Sequence, residues 1–426
     1  MANQHTKSNK KTIFNKKFIL TISIFAIIIL IVHHFISTQI PKERTYRIIS
    51  ENNGTYMIVP SMEPPIFTMN IFELINHFSN PPIDKETFCT SNIKHISLPD
   101  TMQTIPNWAF EYCSNLRTIN IPNSVKSIEY RAFYGCSSLQ TINIPDSVKS
   151  IGVMAFSGCS SLQTINIPNS VESIGGWAFN DCSSLKEINI PNSVESIGHM
   201  AFSGCSSLQT INIPDSVKSI GYMAFSGCSS LKEINIPNSV KSIGNSEFLD
   251  CSNLQTINIP YSVKSIGDEA FKNCSSLKTI SIPNSVESIG KWAFANCSNL
   301  KEINIPNSVK SIENGAFKNC SSLKTINIPD SVESIGEWAF ANCSNLKEIN
   351  IPNSVKSIGN EAFYGCSSLQ TINIPDSVGS IGDEAFYGCS NLQTVNIQFT
   401  YSVRVIGKDA FKGTPWFKRT YSMERK

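Results

Sequence analysis

Histidine is nearly missing from this 426-residue chain. There are six, and only His199 falls within a well-formed repeat; His5, His33, His34, His77 and His95 lie outside. The commonest general base and metal ligand is therefore absent from most of the sequence. No H-E-x-x-H, P-loop or G-x-S-x-G occurs, so zinc hydrolysis, phosphate cradling and a nucleophile elbow have no residues to carry them. C-x-x-C is missing too, and cysteines 23 residues apart without histidine partners make no zinc knuckle. The acidic residues recur with the repeat and do not converge in pairs. No catalytic residue, metal or cofactor is expected, and the chain does not read as an enzyme. An excess of one charge is also lacking: Lys and Arg total 35, Asp and Glu 33. A formal charge of +2 gives no field that would favour nucleic acid.

What is present is periodicity. Thirteen cysteines from Cys113 to Cys389 stand 23 residues apart without a slip. A fixed period of this size signals a solenoid and takes precedence over local motifs. In the unit beginning at Cys136, Leu139, Ile142, Ile144, Val148, Ile151, Ala155 and Phe156 recur in most units. Thr141-Ile142-Asn143-Ile144 alternates polar and apolar, which predicts a short half-buried strand with the isoleucines inward. Pro145 ends it, because proline donates no ladder hydrogen bond. Val148 to Ile151 predicts a second short strand, and Gly152 a turn. One unit cannot bury this apolar set alone; stacked units can.

The apolar spacing resembles the leucine-rich repeat, with Leu139, Ile142 and Ile144 at its first three apolar positions and Ser147 where Asn or Cys would stand. Val148 comes one place early. With I-P-x-S-V, S-I-G and A-F-x-x-C, the pattern resembles the BspA-like class over roughly residues 90 to 417. The resemblance implies a leucine-rich repeat solenoid, β-rich, of 23-residue repeats in a curved right-handed coil. It also implies binding, by a strand face, of host matrix proteins, host cells or other microbes.

The cysteine column reads as buried thiols packing as small apolar groups. Successive disulfides would need alternating twists in parallel side chains, and thirteen is odd. Cys89 falls out of phase and is expected to be exposed. Triplets such as Asn273-Cys274-Ser275 are glycosylation acceptors only in a eukaryotic secretory route.

Along the chain, residues 1–17 form a basic tail with five lysines. Phe18 to Ile36 is apolar all round and 19 residues long, close to the about 20 that a membrane helix needs. It lacks the small-residue cleavage site of a signal peptide, so a signal anchor is the expected reading, with a cleaved signal and secretion as the alternative. Lysines 7, 10, 11, 16 and 17 against Lys42, Arg44 and Arg47 put the N-terminus in the cytoplasm. A single-pass plasma-membrane protein with extracellular repeats follows. Residues 37–89 read as a spacer and N-terminal cap, with a helix expected at Met69 to Ser79. Residues 90–417 hold about 14 units, closed by Gly413 to Trp416; 418–426 read as a frayed polar tail. Glu247, in an alanine slot, is expected either to swing out or to weaken its turn. Glu129 and Glu313 replace the turn glycine, so those turns are expected to avoid positive φ.

Two surfaces are candidates for binding. Asn143, Asn166, Asn189, Asn212 and Asn235 align on the strand face beside a column of Thr and Glu. Trp108, Trp177, Trp292 and Trp338 share one turn slot, alternating with Met154, Met200 and Met223, and suggest an adhesive ridge. Each column also has a plain structural reading, as a solvated sheet and as local packing. The expected function is cell-surface adhesion by multivalent contact with other proteins or cell-surface macromolecules. The alternative is a structural spacer or coat module without a dedicated ligand.

Overall fold

The structure, a computed structural model, describes residues 46–51, 55–60, 94–98, 100–397 and 405–423. Each 23-residue unit makes one turn of a parallel β-solenoid. In the unit from Cys136, the turn carries the strands Thr141–Asn143 and Ser150–Ile151. The second is shorter than the four residues expected. Thr141, Ile142 and Asn143 pair with Thr164, Ile165 and Asn166, so residues 23 apart lie side by side. The two extra residues late in the chain are absorbed before the last short strand, where Ser380 pairs with Val405.

The core is one continuous set of columns. Leu139, Val148, Ala155, Phe156 and Cys159 are wholly buried, and so are nearly all their counterparts in the interior turns. The phenylalanines stack from Phe110 to Phe411 with centroids 5.0 to 5.7 Å apart. Each buried ring contributes about 1.5–3 kcal/mol relative to exposure, and only stacked units supply the neighbours that bury it. Serine has a defined task here: Ser170 and Ser193 donate to the carbonyls of Val148 and Val171 in the preceding turn.

The glycine of S-I-G is required for a reason other than φ. Gly152 does not adopt a left-handed φ, and neither do its counterparts. A Cβ there would lie 2.7 Å from the backbone of Glu129 in the preceding turn. The left-handed residue comes two places later, at Met154 with φ 57°. The turns at Glu129 and Glu313 do avoid positive φ at that slot, as every turn does. At Glu313 the short-strand ladder stops, since Ser288–Ile289 and Ser311–Ile312 are unpaired.

Both ends of the long ladder are covered. At the N-terminal end, strands β1 (Tyr46–Glu51) and β2 (Thr55–Pro60) form an antiparallel hairpin, and β1 pairs in parallel with His95–Ser97. A hairpin thus covers an edge for which the sequence pattern suggested a helix; Met69 to Ser79 lies outside the described residues. At the other end, helix α1 runs from Pro415 to Met423. Thr414 caps it, its Oγ1 accepting the Phe417 amide at 3.0 Å, and Pro415 takes the first helical position, where no amide is needed. The segment expected to fray from Lys418 is therefore helical as far as Met423. Among the described residues no helix is long and apolar enough to cross a membrane. The run from Phe18 to Ile36, the tail 1–17 and Cys89 lie outside them.

Candidate interaction surfaces

On the long ladder, from Thr141–Asn143 to Glu348–Asn350, the middle residue of each strand is buried and its neighbours are exposed. Ile165 and Ile188 fill the core, while Thr164, Asn166, Glu187 and Asn189 face solvent. The register sets Asn143, Asn166, Asn189 and Asn212 side by side. A shallow groove of about 600 Å³ runs over this face, lined by Thr164, Asn166, Glu187, Asn189, Thr210 and Asn212 among others. Asn235 does not join them. Its strand pairs with Thr256–Asn258 and begins a second sheet, where Asn258 Nδ2 donates to Asn235 Oδ1 at 2.8 Å.

The tryptophan slot is left-handed throughout: Trp108, Trp177, Trp292 and Trp338 have φ between 54° and 59°. Holding a large residue there costs on the order of 1 kcal/mol or more. Trp108 is 46% exposed; the other three are half-buried. Trp108 meets Tyr130 edge to face at 5.9 Å. Trp292 and Trp338 lie against each other, with Lys318 over both rings. The four therefore do not form one exposed ridge: three are partly taken up by packing.

Sequence reasoning overlooked two arrangements. In the same slot Arg131 places its guanidinium 4.3 Å from the Tyr134 ring centroid and pairs with Glu111 at 3.1 Å. Elsewhere Asp250, Asn273, Asn296, Asn319 and Asn342 form an amide ladder, each Nδ2 donating to the preceding Oδ1 at 2.6 to 3.0 Å. All five have left-handed φ, a conformation Asn and Asp tolerate well. The Asn-Cys-Ser triplets were the visible trace of this ladder, and backbone conformation explains them.

The thiols are more than filler. Cys159 Sγ donates to the Phe133 carbonyl of the preceding turn at 3.2 Å, and the pattern repeats to Cys389. Burial pushes the thiols from Cys159 to Cys366 up, Cys343 to about 12, so they are poor nucleophiles and metal ligands. Twelve of the column are free and buried. Cys113 departs from the expectation: it is disulfide-bonded. His199 is exposed and lies against Tyr222, ring centroids 4.4 Å apart. Lys218 and Glu195 form an exposed pair at 2.9 Å, worth about 1 kcal/mol at most, as a mixed solvated surface would have.

The family model "BspA type Leucine rich repeat region (6 copies)" matches residues 82–209, 195–324 and 310–421. A crystal structure of a leucine-rich repeat protein from Bacteroides ovatus is 35% identical, with a TM-score of 0.69 over 88% of this chain and 91% of that one. A leucine-rich cell surface protein from Faecalibacterium prausnitzii is 29% identical over 65% of this chain and 84% of that one, TM-score 0.40. The pneumococcal vaccine antigen PcpA is 24% identical over 67% and 89%, TM-score 0.44. No curated protein matches. With three overlapping matches spanning the whole solenoid, the chain belongs to the BspA-type leucine-rich repeat family.

Proposed function

We propose that this protein is displayed at the cell surface and adheres to other proteins or cell-surface macromolecules through its repeated strand face. The observation that carries the reading is the exposed row of Thr, Glu and Asn side chains from Thr141 to Asn212, aligned in register and open along its length. Amides and hydroxyls at a constant spacing, with the Glu187 carboxylate among them, suit many weak contacts made at once. Such contacts gain avidity from repetition along a stiff array and from many copies on one surface. Residues 18–36 would hold the chain in the plasma membrane, with the solenoid outside.

Two experiments test this. Protease treatment of intact cells should remove the repeats; their survival would refute the orientation. Cells displaying the full chain should retain purified matrix or cell-surface proteins saturably. Replacing Asn166, Asn189 and Asn212 by Ser, which adds no like charges to neighbouring strands, should weaken that retention at least tenfold without changing thermal unfolding. Saturable retention unaffected by these changes would remove the strand face from the binding role, and no saturable retention at all would favour a passive spacer.

A further inference from the structure

Glu247 occupies a slot that its neighbours fill with Ala224 and Ala270, and it is wholly buried. Its Oε2 accepts the Gly244 amide at 2.6 Å. In the adjacent turns that amide serves the stack: Gly221 donates to the Ile197 carbonyl and Gly267 to that of Ile243, each at 2.9 Å. The carboxyl group has taken over the bond that would tie this turn to the one before it.

Both ladders stop at the same place. Thr210–Asn212 and Glu233–Asn235 are unpaired, and so are Ser219–Ile220 and Ser242–Ile243. Nowhere else among the described residues do both stop between the same two turns. The spacing has loosened too. A Cβ on Gly244 would lie 3.5 Å from the Tyr222 backbone, against 2.4 Å and 2.7 Å for the equivalent approaches at Gly221 and Gly267. Ile220 is half-exposed, while Ile197 and Ile243 in the same column are buried.

The third side stays shut. Phe225 N donates to the Glu247 carbonyl at 3.0 Å and Gly227 N to that of Leu249 at 2.7 Å. Cys251 Sγ donates to the Phe225 carbonyl at 3.2 Å, and Phe225 and Phe248 remain parallel at 5.6 Å. Ser239 still donates to the Val217 carbonyl and the Lys232 amide to that of Gln209 across this seam, so a stack with both ladders interrupted but joined at these points and along the third side has the geometry of a hinge.

The chemistry of the carboxyl group supplies a control. Oε1 has no hydrogen-bond partner, and burial raises the group to about 8. Ala224 and Ala270 offer it no charge from the adjoining turns. The nearby titratable groups are the Cys251 thiol, itself pushed up by burial, and the exposed Asp250; neither stabilises an anion. An ionised carboxylate in this slot, with no charge partner, is costly unless water reaches it, and widening the seam would admit water.

We infer that the seam between residues 220 and 243 is an articulation of the solenoid, held nearly closed by neutral Glu247 and opened by its ionisation, so that the turns on either side reorient as two bodies. Hydrogen exchange on the full chain tests it, with rates corrected for the intrinsic effect of pH. Amides 241–244 should exchange at least tenfold faster at pH 9 than at pH 6, while 264–267 do not change. Glu247→Gln should abolish the pH difference, and Glu247→Ala should protect the Gly244 amide to the level of Gly267 at both pH values. The distance distribution between labels on exposed positions 149 and 310 should broaden at pH 9 in the parent and not in Glu247→Ala. Parallel exchange of the two segments at both pH values, a pH difference retained in Glu247→Gln, or an unchanged distance distribution would each overturn the inference.

Discussion

The indole rings of Trp292 and Trp338 lie 5.7 Å apart between centroids, although a whole turn intervenes between the two residues. They meet across Gly315, the one glycine in a left-handed column otherwise filled by Trp, Met, Arg, Ser, Glu and Asp. Lys318 Nζ completes the group, 5.1 Å from one ring and 4.9 Å from the other.

Gly315→Ala should break this group. The φ of 63° costs a non-glycine residue on the order of 1 kcal/mol, and its Cβ would sit 2.3 Å from the Trp292 ring. The expected result is a loss of about 1–3 kcal/mol, with tryptophan fluorescence shifted to the red in the native state. Fluorescence and denaturant titration read both together.

Stability should fall as pH rises, because of Glu247. Its folded value of about 8 lies above the ordinary 4.5, so the folded state binds the proton more tightly than the unfolded state. The contribution is fully present below about pH 4.5, is lost through the interval up to 8, and is absent above it. The displacement is equivalent to at most about 5 kcal/mol. Thermal unfolding of the parent should therefore decline over that interval more than that of Glu247→Ala. Parallel pH profiles would show that the buried carboxyl is not the source.

The thiol column predicts silence toward alkylating agents. The twelve buried free cysteines from Cys136 to Cys389 should remain unmodified in the native protein and become reactive together on unfolding. Mass spectrometry after brief iodoacetamide treatment, with and without denaturant, gives the count. Rapid native labelling at central positions such as Cys274 would contradict their burial.

Phe271→Ala should cost about 3–5 kcal/mol, the usual penalty for emptying a large aromatic site. The ring is wholly buried, with parallel neighbours at 5.4 and 5.3 Å. Because each turn touches only its neighbours, the loss should be local and divide one denaturation transition into two. Chemical denaturation followed by circular dichroism would resolve them.

The regular part of the fold was legible because each apolar residue recurs every 23 positions and can be satisfied only by stacking. The less legible features involve contacts between different slots or breaks in the repeat. The glycine at 152 looks like a turn residue in sequence, yet it answers to the backbone of the turn before it. The hairpin Tyr46–Pro60 carries no repeat signal, so nothing in the period announced that it would cover the ladder. The end of the array was readable at Gly413 to Trp416, where Thr414-Pro415 is a cap followed by proline; the helix that follows carries no repeat signal. On the candidate surfaces, alignment of the strand-face asparagines followed from the period as far as Asn212. Their separation from Asn235 did not, because the break in pairing between Thr210–Asn212 and Glu233–Asn235 falls between two units whose strand residues keep the repeat pattern.

The parallel phenylalanine rings have a consequence for how such a chain can change length. Every ring presents the same face above and below, so one whole unit removed from the interior leaves two surfaces that already fit, like a washer taken from a bolt. The two capped ends need not be redesigned when this happens. Unequal recombination within the gene could therefore shorten or lengthen the molecule in fixed steps, altering how far it reaches without first having to solve a new packing problem.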